Sequence, residues 1–271
     1  MARGDFDFGA QVTKAEGKVF KNPEVGDHEA VISGIIHVGS FQDIFKKGNT
    51  TEVKKPANFV LVKIVLMGDD DKNEDDSRME QWMAVPLKSG DKATLTKFLN
   101  AVDPKELLGG FDDFIGECLT ATMVGSGDKN DDGSFKYVNW KGFGGMPDKL
   151  KKLVIAQVEE EGLSMTGHIT FDKLTKEILD EIPANLVRQY FLNETPRGKN
   201  LSVAGSHVEA IIKAAREEDP EWKKTKKKDE EGEEDATPDN RKSLETGKSV
   251  PQEVPEADNA PAPEMDENEE Y

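Results

Sequence analysis

The stretch Gly26-Asp27-His28-Glu29-Ala30-Val31-Ile32-Ser33-Gly34-Ile35-Ile36-His37-Val38-Gly39 decides the class of fold. From Glu29 to Val38 it is β-branched and apolar, with glycines at both ends, and it reads as a strand. Gly34 in its middle predicts a bulge or a sharp bend. Residues 59–66 and 82–87 read as two more strands. Between them lies 69–76, where six of eight side chains are acidic, a solvated loop. Residues 91–102 have helical spacing, with Leu95, Phe98, Leu99 and Val102 on one face, and Asp103-Pro104 ends them. Residues 114–124 and 134–140 read as strands joined by the turn-forming connection 125–133. Strand, strand, strand, helix, strand, strand predicts a mainly β chain, a five-stranded OB-fold barrel with one inter-strand helix.

The flanks differ from this block. Residues 1–25 are polar and rich in Gly and Lys, which predicts a loose arm ahead of a barrel domain at 26–158. Residues 147–158 show no clear pattern. Residues 171–192 are helical in pattern, interrupted by Pro183. Ser206-His207-Val208-Glu209 fits a capping box, Val208, Ile211 and Ile212 give the following helix an apolar face, and Asp219-Pro220 stops it. Residues 159–222 therefore read as a small helical appendix. The block Lys223-Lys224-Thr225-Lys226-Lys227-Lys228 then opens a basic-then-acidic tail, 223–271, with no apolar periodicity. Such a segment cannot bury enough apolar area to offset its ordering entropy, and disorder is expected.

Charge follows the same division. The 271 residues carry a formal net charge of -18. Residues 229–271 hold 16 acidic and 3 basic side chains, or -13, which leaves -5 for the rest. The acidic balance therefore describes the tail, and a basic groove on the body is not excluded. No apolar run approaches the roughly twenty residues of a membrane helix, and residues 1–10 lack the apolar core of a signal peptide. One cysteine, Cys118, excludes an internal disulfide and a Cys-cluster zinc site, and its apolar surroundings predict a buried core thiol. Arg3-Gly4-Asp5 matches an integrin tripeptide, a chance match in a chain expected in a reducing cytoplasm.

Catalytic patterns are missing. His28, His37, His168 and His207 are tied to no Ser or Cys motif, and no Gly-rich phosphate loop occurs. Asp128-Lys129-Asn130-Asp131-Asp132-Gly133 fits the opening of a calcium loop, but the twelfth position is Asn139 where a bidentate Glu is required. Aromatic and basic residues interleave instead. Lys46, Lys47, Lys54 and Lys55 crowd the connection between the first two strands, beside Phe41 and Phe45. Lys63 shares a strand with Phe59. Trp82, Phe135, Tyr137 and Trp140 sit on strands, with Arg78, Lys136 and Lys141 close by. Single-stranded nucleic acid needs both components, cations for phosphates and ring faces for unpaired bases. Alternation puts Phe135, Tyr137 and Asn139 on one face and Lys136, Val138 and Trp140 on the other, one of them core and one free.

The stretch 26–39, the strand 59–66, the run 95–104 followed by Phe114-Ile115-Gly116, and 135–143 together resemble the bacteriophage OB-fold single-stranded DNA-binding proteins. The resemblance covers about residues 26–155 and extends to the acidic tail, which closes on Asp266, Glu267, Glu269, Glu270 and Tyr271, where the family tip is more often Phe. It implies a nonenzymatic protein without a cofactor. Such a protein coats single-stranded DNA during replication, recombination and repair in the cytoplasm of an infected bacterium. It implies that the tail docks phage or host replication proteins, a polymerase or helicase-primase, and competes with DNA for the body. No membrane contact is expected. The competing expectations are a nonenzymatic acidic adaptor or DNA mimic and an RNA-binding OB-fold protein.

Overall fold

The first long strand runs well past the apolar stretch that predicts it. β1 spans Gly26–Lys47 and organises everything else. A computed structural model describes residues 21–47, 50–130 and 133–224, without the side chains of Lys46, Lys47 and Asp128. The expected arm up to Phe20 and the tail from residue 225 lie outside the described residues. Along one edge β1 pairs β2 (Thr50–Val53) and β3 (Ala57–Leu66). Next to β3 lies β4 (Glu80–Pro86). On the other edge Gly26 to Val31 pair β5 (Cys118–Lys129), which pairs β6 (Phe135–Gly145). The order is β4-β3-β1-β5-β6, all antiparallel.

The molecule is therefore mainly β, built on an open antiparallel sheet. β4 and β6 approach each other without a ladder among the described pairings, and α1 (Thr94–Val102) packs against both. The closed five-stranded barrel expected from the sequence is thus not joined at this edge. β1 shifts register against β3 between Ile32 and Gly34 and again between His37 and Gly39, which bends it. A methyl on Gly34 would lie 3.0 Å from Thr166 Cβ and 3.4 Å from Lys63 Cβ, so glycine there permits close approach of a later segment.

That later segment is more than a satellite. α2 (Asp148–Glu161) follows β6 and crosses the boundary drawn at 158, ending on Gly162 at φ +61. β7 (Gly167–Ile169) pairs parallel with Gly34–Ile36, and β8 (Gly198–Asn200) pairs antiparallel with Phe41–Asp43. α3 (Lys176–Glu181), α4 (Ala184–Tyr190) and α5 (His207–Glu218) complete it. Ser206 Oγ caps α5 by accepting from Val208 N, while Glu209 accepts from Gly205 N (2.6 Å) instead of closing the expected box on Ser206.

Three apolar clusters result. Val60, Val62, Ile64 and Leu66 of β3 face the inside of the curved sheet with Ile32, Met83, Phe98, Phe114 and Trp140. Phe59 and Leu61 face outward, onto Leu179, Val187, Tyr190, Phe191 and Trp222. Val65 and Met67 join Cys118 and Val154 of α2. Both faces of β3 are buried, which explains its near-continuous apolar run, interrupted only by Lys63.

Candidate nucleic-acid interface

The structure divides the expected binding residues into buried and available groups. Phe41 (0%), Phe59 (3%) and Trp140 (0%) are closed to solvent, so the expectation that they stack on bases is corrected. Phe41 packs against Tyr190 and Phe59 at ring-centroid distances of 4.9 and 5.7 Å. A side chain on Gly198 would collide with the Phe41 ring. Trp140 lies in the inner cluster and donates its indole N–H to Gly142 O at 2.7 Å. Of the two faces of β6, the one carrying Val138 and Trp140 is core, and Phe135, expected on the opposite face, packs partly against the same cluster.

Lys63 is corrected as well. Its side chain is buried, and Nζ lies 2.9 Å from Glu80, 3.3 Å from Thr166 Oγ1 and 3.7 Å from Glu181. Trp82 is half-buried at the second cluster, with Lys63 Nζ 5.5 Å from its ring centroid. The outer face of β3 and β4, nominated by Phe59, Lys63 and Trp82, is therefore the floor of a core roofed by α3, α4 and α5. Arg78 is also internal: its guanidinium forks onto Glu161 and reaches Gly68 O at 2.6 Å, and Glu161 holds its charge at an unusually high pKa. Lys223, first of the basic block, donates to the last carbonyls around α3, Asp180 O (2.9 Å) and Ile182 O (2.7 Å). Burial pulls its ammonium below the ordinary lysine range, with Asp180 opposing.

What remains lies on two hairpins. On β1–β2, Lys54 Nζ sits 3.9 Å above the Phe45 ring and Lys55 is exposed. Lys46 and Lys47 belong to this hairpin by backbone register, opposite Thr51 and Thr50; their side chains lie outside the described residues. On β5–β6, Phe135 and Tyr137 are half-buried, Lys129 Nζ lies 5.0 Å from the Phe135 centroid, and Lys136 Nζ lies 5.9 Å from that of Tyr137. Lys141 sits at the register shift opposite Thr122 and Met123. Lys54, Lys129 and Lys136 are each within reach of a ring quadrupole, a weakly attractive arrangement.

Glycines seat the rings. A methyl on Gly125 would collide with the Phe135 ring, and one on Gly127, at φ +78, would approach Tyr137 to 3.2 Å. The stretch read as a long turn is therefore mostly strand: β5 continues to Lys129, and Asn130 N donates to Ser134 O at 2.8 Å. Its flanks are strands, not the helices of a calcium-binding hand, and among the described residues no group of three His, Cys, Asp or Glu side chains could hold a metal. Asn22 straps the chain before β1 to this hairpin through Lys136 O (3.1 Å).

Two cations escaped the sequence reading. Lys129 was hidden in the supposed turn. Lys199 is exposed on β8 opposite Gln42, and nothing local marks it. Cys118 has its thiol pushed up to about 11 by burial, which makes it inert at neutral pH. A cavity of about 410 Å³ beside α1 is walled by Leu99, Leu108, Phe111 and Phe114, and rimmed by Asp103 and Glu106, the wrong charge for a phosphate. Among the described residues no helix is long and apolar enough to cross a membrane. Set beside protein-family models, curated proteins and solved structures, the chain matches none of them.

Proposed function

We propose that this chain is a single-stranded DNA-binding protein of a bacteriophage, built on an OB-type sheet, that coats DNA exposed during replication, recombination and repair. The observation that carries the reading is the set of lysines placed over aromatic rings on the two hairpins: Lys54 on Phe45, Lys129 on Phe135 and Lys136 on Tyr137. Unpaired bases stack on such rings for roughly 1–3 kcal/mol each while the cations neutralise neighbouring phosphates. Every base has a face to stack, so binding is sequence-tolerant. The OB assignment draws support from the strand order β4-β3-β1-β5-β6, with α1 inserted between β4 and β5. With the outer face of β3 and β4 roofed, the strand is carried by the hairpins, Phe45, Lys54, Lys55, Phe135, Tyr137 and Lys141 among them, together with Lys129 and Lys199.

The tail residues Asp266, Glu267, Glu269, Glu270 and Tyr271 are assigned to docking a polymerase or helicase-primase and to competing with DNA for the hairpins. The charge division, -13 on 229–271 against -5 on the rest, motivates this. Titration of labelled oligo-dT at low salt tests the main reading. Binding below micromolar protein that weakens with salt through counterion release is expected. No binding in that range overturns it. Deleting 229–271 raises the affinity if the tail competes. If the deletion removes all partner binding and the body ignores DNA, the protein is an acidic adaptor. A parallel titration with oligo-rU separates DNA from RNA, since that choice rests on 2′-hydroxyl contacts.

A further inference from the structure

Two histidines far apart in sequence meet where β7 joins β1. His37 Nε2 and His168 Nε2 are 2.9 Å apart, with ring centroids 5.1 Å apart. His168 Nδ1 is 3.1 Å from the carboxylate of Asp112, in the 3-10 turn Phe111–Phe114. Phe111 packs edge-on against both imidazoles, at 5.8 and 5.7 Å. Among the described residues, the other charge acting on His37 is a carboxylate. Asp172, in the turn Phe171–Lys173, acts on His37, and Asp113 is exposed next to Asp112. From the neighbouring strand β3, the residue opposite His37 is Val60.

The proton count follows from this geometry. A carboxylate only accepts, so His168 donates from Nδ1 to Asp112 and turns its Nε2 lone pair toward His37, which donates from Nε2. One added proton is tolerated. It enters at His37 Nδ1 while the shared proton passes to His168 Nε2, so His168 becomes an imidazolium donating at both nitrogens and His37, now carrying its hydrogen on Nδ1, accepts at Nε2. A second proton is not tolerated, because two N–H donors and two like charges would face each other across 2.9 Å.

We propose that His37, His168 and Asp112 form a proton-counting latch, closed with zero or one proton on the imidazole pair and open with two. Opening releases β7 and the Phe111–Phe114 turn from β1, and with Phe111 a wall of the cavity beside α1. Burial, followed by the neighbouring His168, holds His37 below the ordinary histidine range, with Asp172 working weakly the other way. His37 therefore contributes stability above about pH 6.5 that is lost as the pH falls through its lowered value.

The test is a nitrogen NMR titration of the histidine rings of the full chain from about pH 8 to about pH 5, with amide exchange measured in parallel. The expected result is two separated steps, a change of His37 from its Nε2–H to its Nδ1–H form at the first, and faster exchange at Gly167–Ile169 only at the second. His37→Gln keeps a donor toward His168 and should make that exchange independent of pH in the window, with circular dichroism checking its fold. Asp112→Asn should move the first step to lower pH and serves if His37→Gln does not fold. A single common step overturns the latch. So does full protection of β7 with both imidazoles charged, or the same loss of protection in His37→Gln.

Discussion

Replacing Lys63 by Met separates the two roles open to this side chain, a phosphate contact or an internal strut. Lys63 is 7% exposed and its ammonium touches Glu80 (2.9 Å), Thr166 (3.3 Å) and Glu181 (3.7 Å). Removing one member of a fully buried ion pair costs roughly 3–5 kcal/mol, because the other charge is stranded. Here the carboxylates are 46% and 43% exposed, and water can take over their solvation. Thr166 also keeps its bond to Glu181 (2.9 Å). Methionine fills the volume of the lysine stem, so little cavity is opened. The remaining loss, one charge-assisted bond and the attraction to a second carboxylate, comes to about 1–2 kcal/mol. Lys63→Ala, which also empties the stem, should cost about 3 kcal/mol. Urea unfolding should show the lower midpoint at an unchanged slope. Oligo-dT affinity should stay within about twofold, and the salt dependence should not change. If Lys63 instead touches a phosphate, Lys63→Met keeps full stability, binds more weakly, and lowers the log–log salt slope by about 0.7. That outcome would refute the internal role and the roofed face with it.

Tyr137→Ala should weaken oligo-dT binding by about 1–3 kcal/mol, some five- to 150-fold, with circular dichroism unchanged; unaltered affinity removes this ring from the interface. Trp140→Ala should act on the fold, lowering stability by about 3–5 kcal/mol, and a stable variant with lost binding would contradict its place in the core. Gly125→Val should push the Phe135 ring off its seat and lower stability by about 1–3 kcal/mol, seen as a lower thermal midpoint; an unchanged melt refutes the seating. Burial alone would lower the pKa of His28, but its hydrogen bonds to Asp71 (2.9 Å) and to the Glu24 carbonyl outweigh this and raise it. Its contribution is fully present below about pH 6.5 and is lost as the pH rises through the raised value, so urea midpoints should fall there in the native chain and flatten in His28→Gln.

Local geometry was legible wherever it is a property of the chain alone. The short run of β-branched and apolar residues marked β3, and the spacing of Leu95, Phe98, Leu99 and Val102 marked α1, where Phe98 and Val102 are buried and the two leucines pack beside them. The pattern failed for α2, because its only fully buried residue is Val154 while Leu153 (63%) and Ile155 (44%) face solvent, which blurs the stripe. β5 was cut short at Val124 because Gly125 and Gly127 look like turn residues, whereas here their missing side chains make room for aromatic rings.

Which face of a strand is covered is a different kind of question. Alternation separated Tyr137 from Trp140, and the sequence established that they point opposite ways. Only the packing of α1 and Phe143 against the inner cluster decided that Trp140 is core. Likewise the sequence established an aromatic-basic strand at Phe59 and Lys63. Its outer face is closed by segments more than a hundred residues away, through Phe41 on Tyr190 and Lys63 on Glu181. Strand period depends on backbone geometry within a few residues, but burial depends on which distant apolar surface excludes water from that face, and that is a property of the folded chain as a whole.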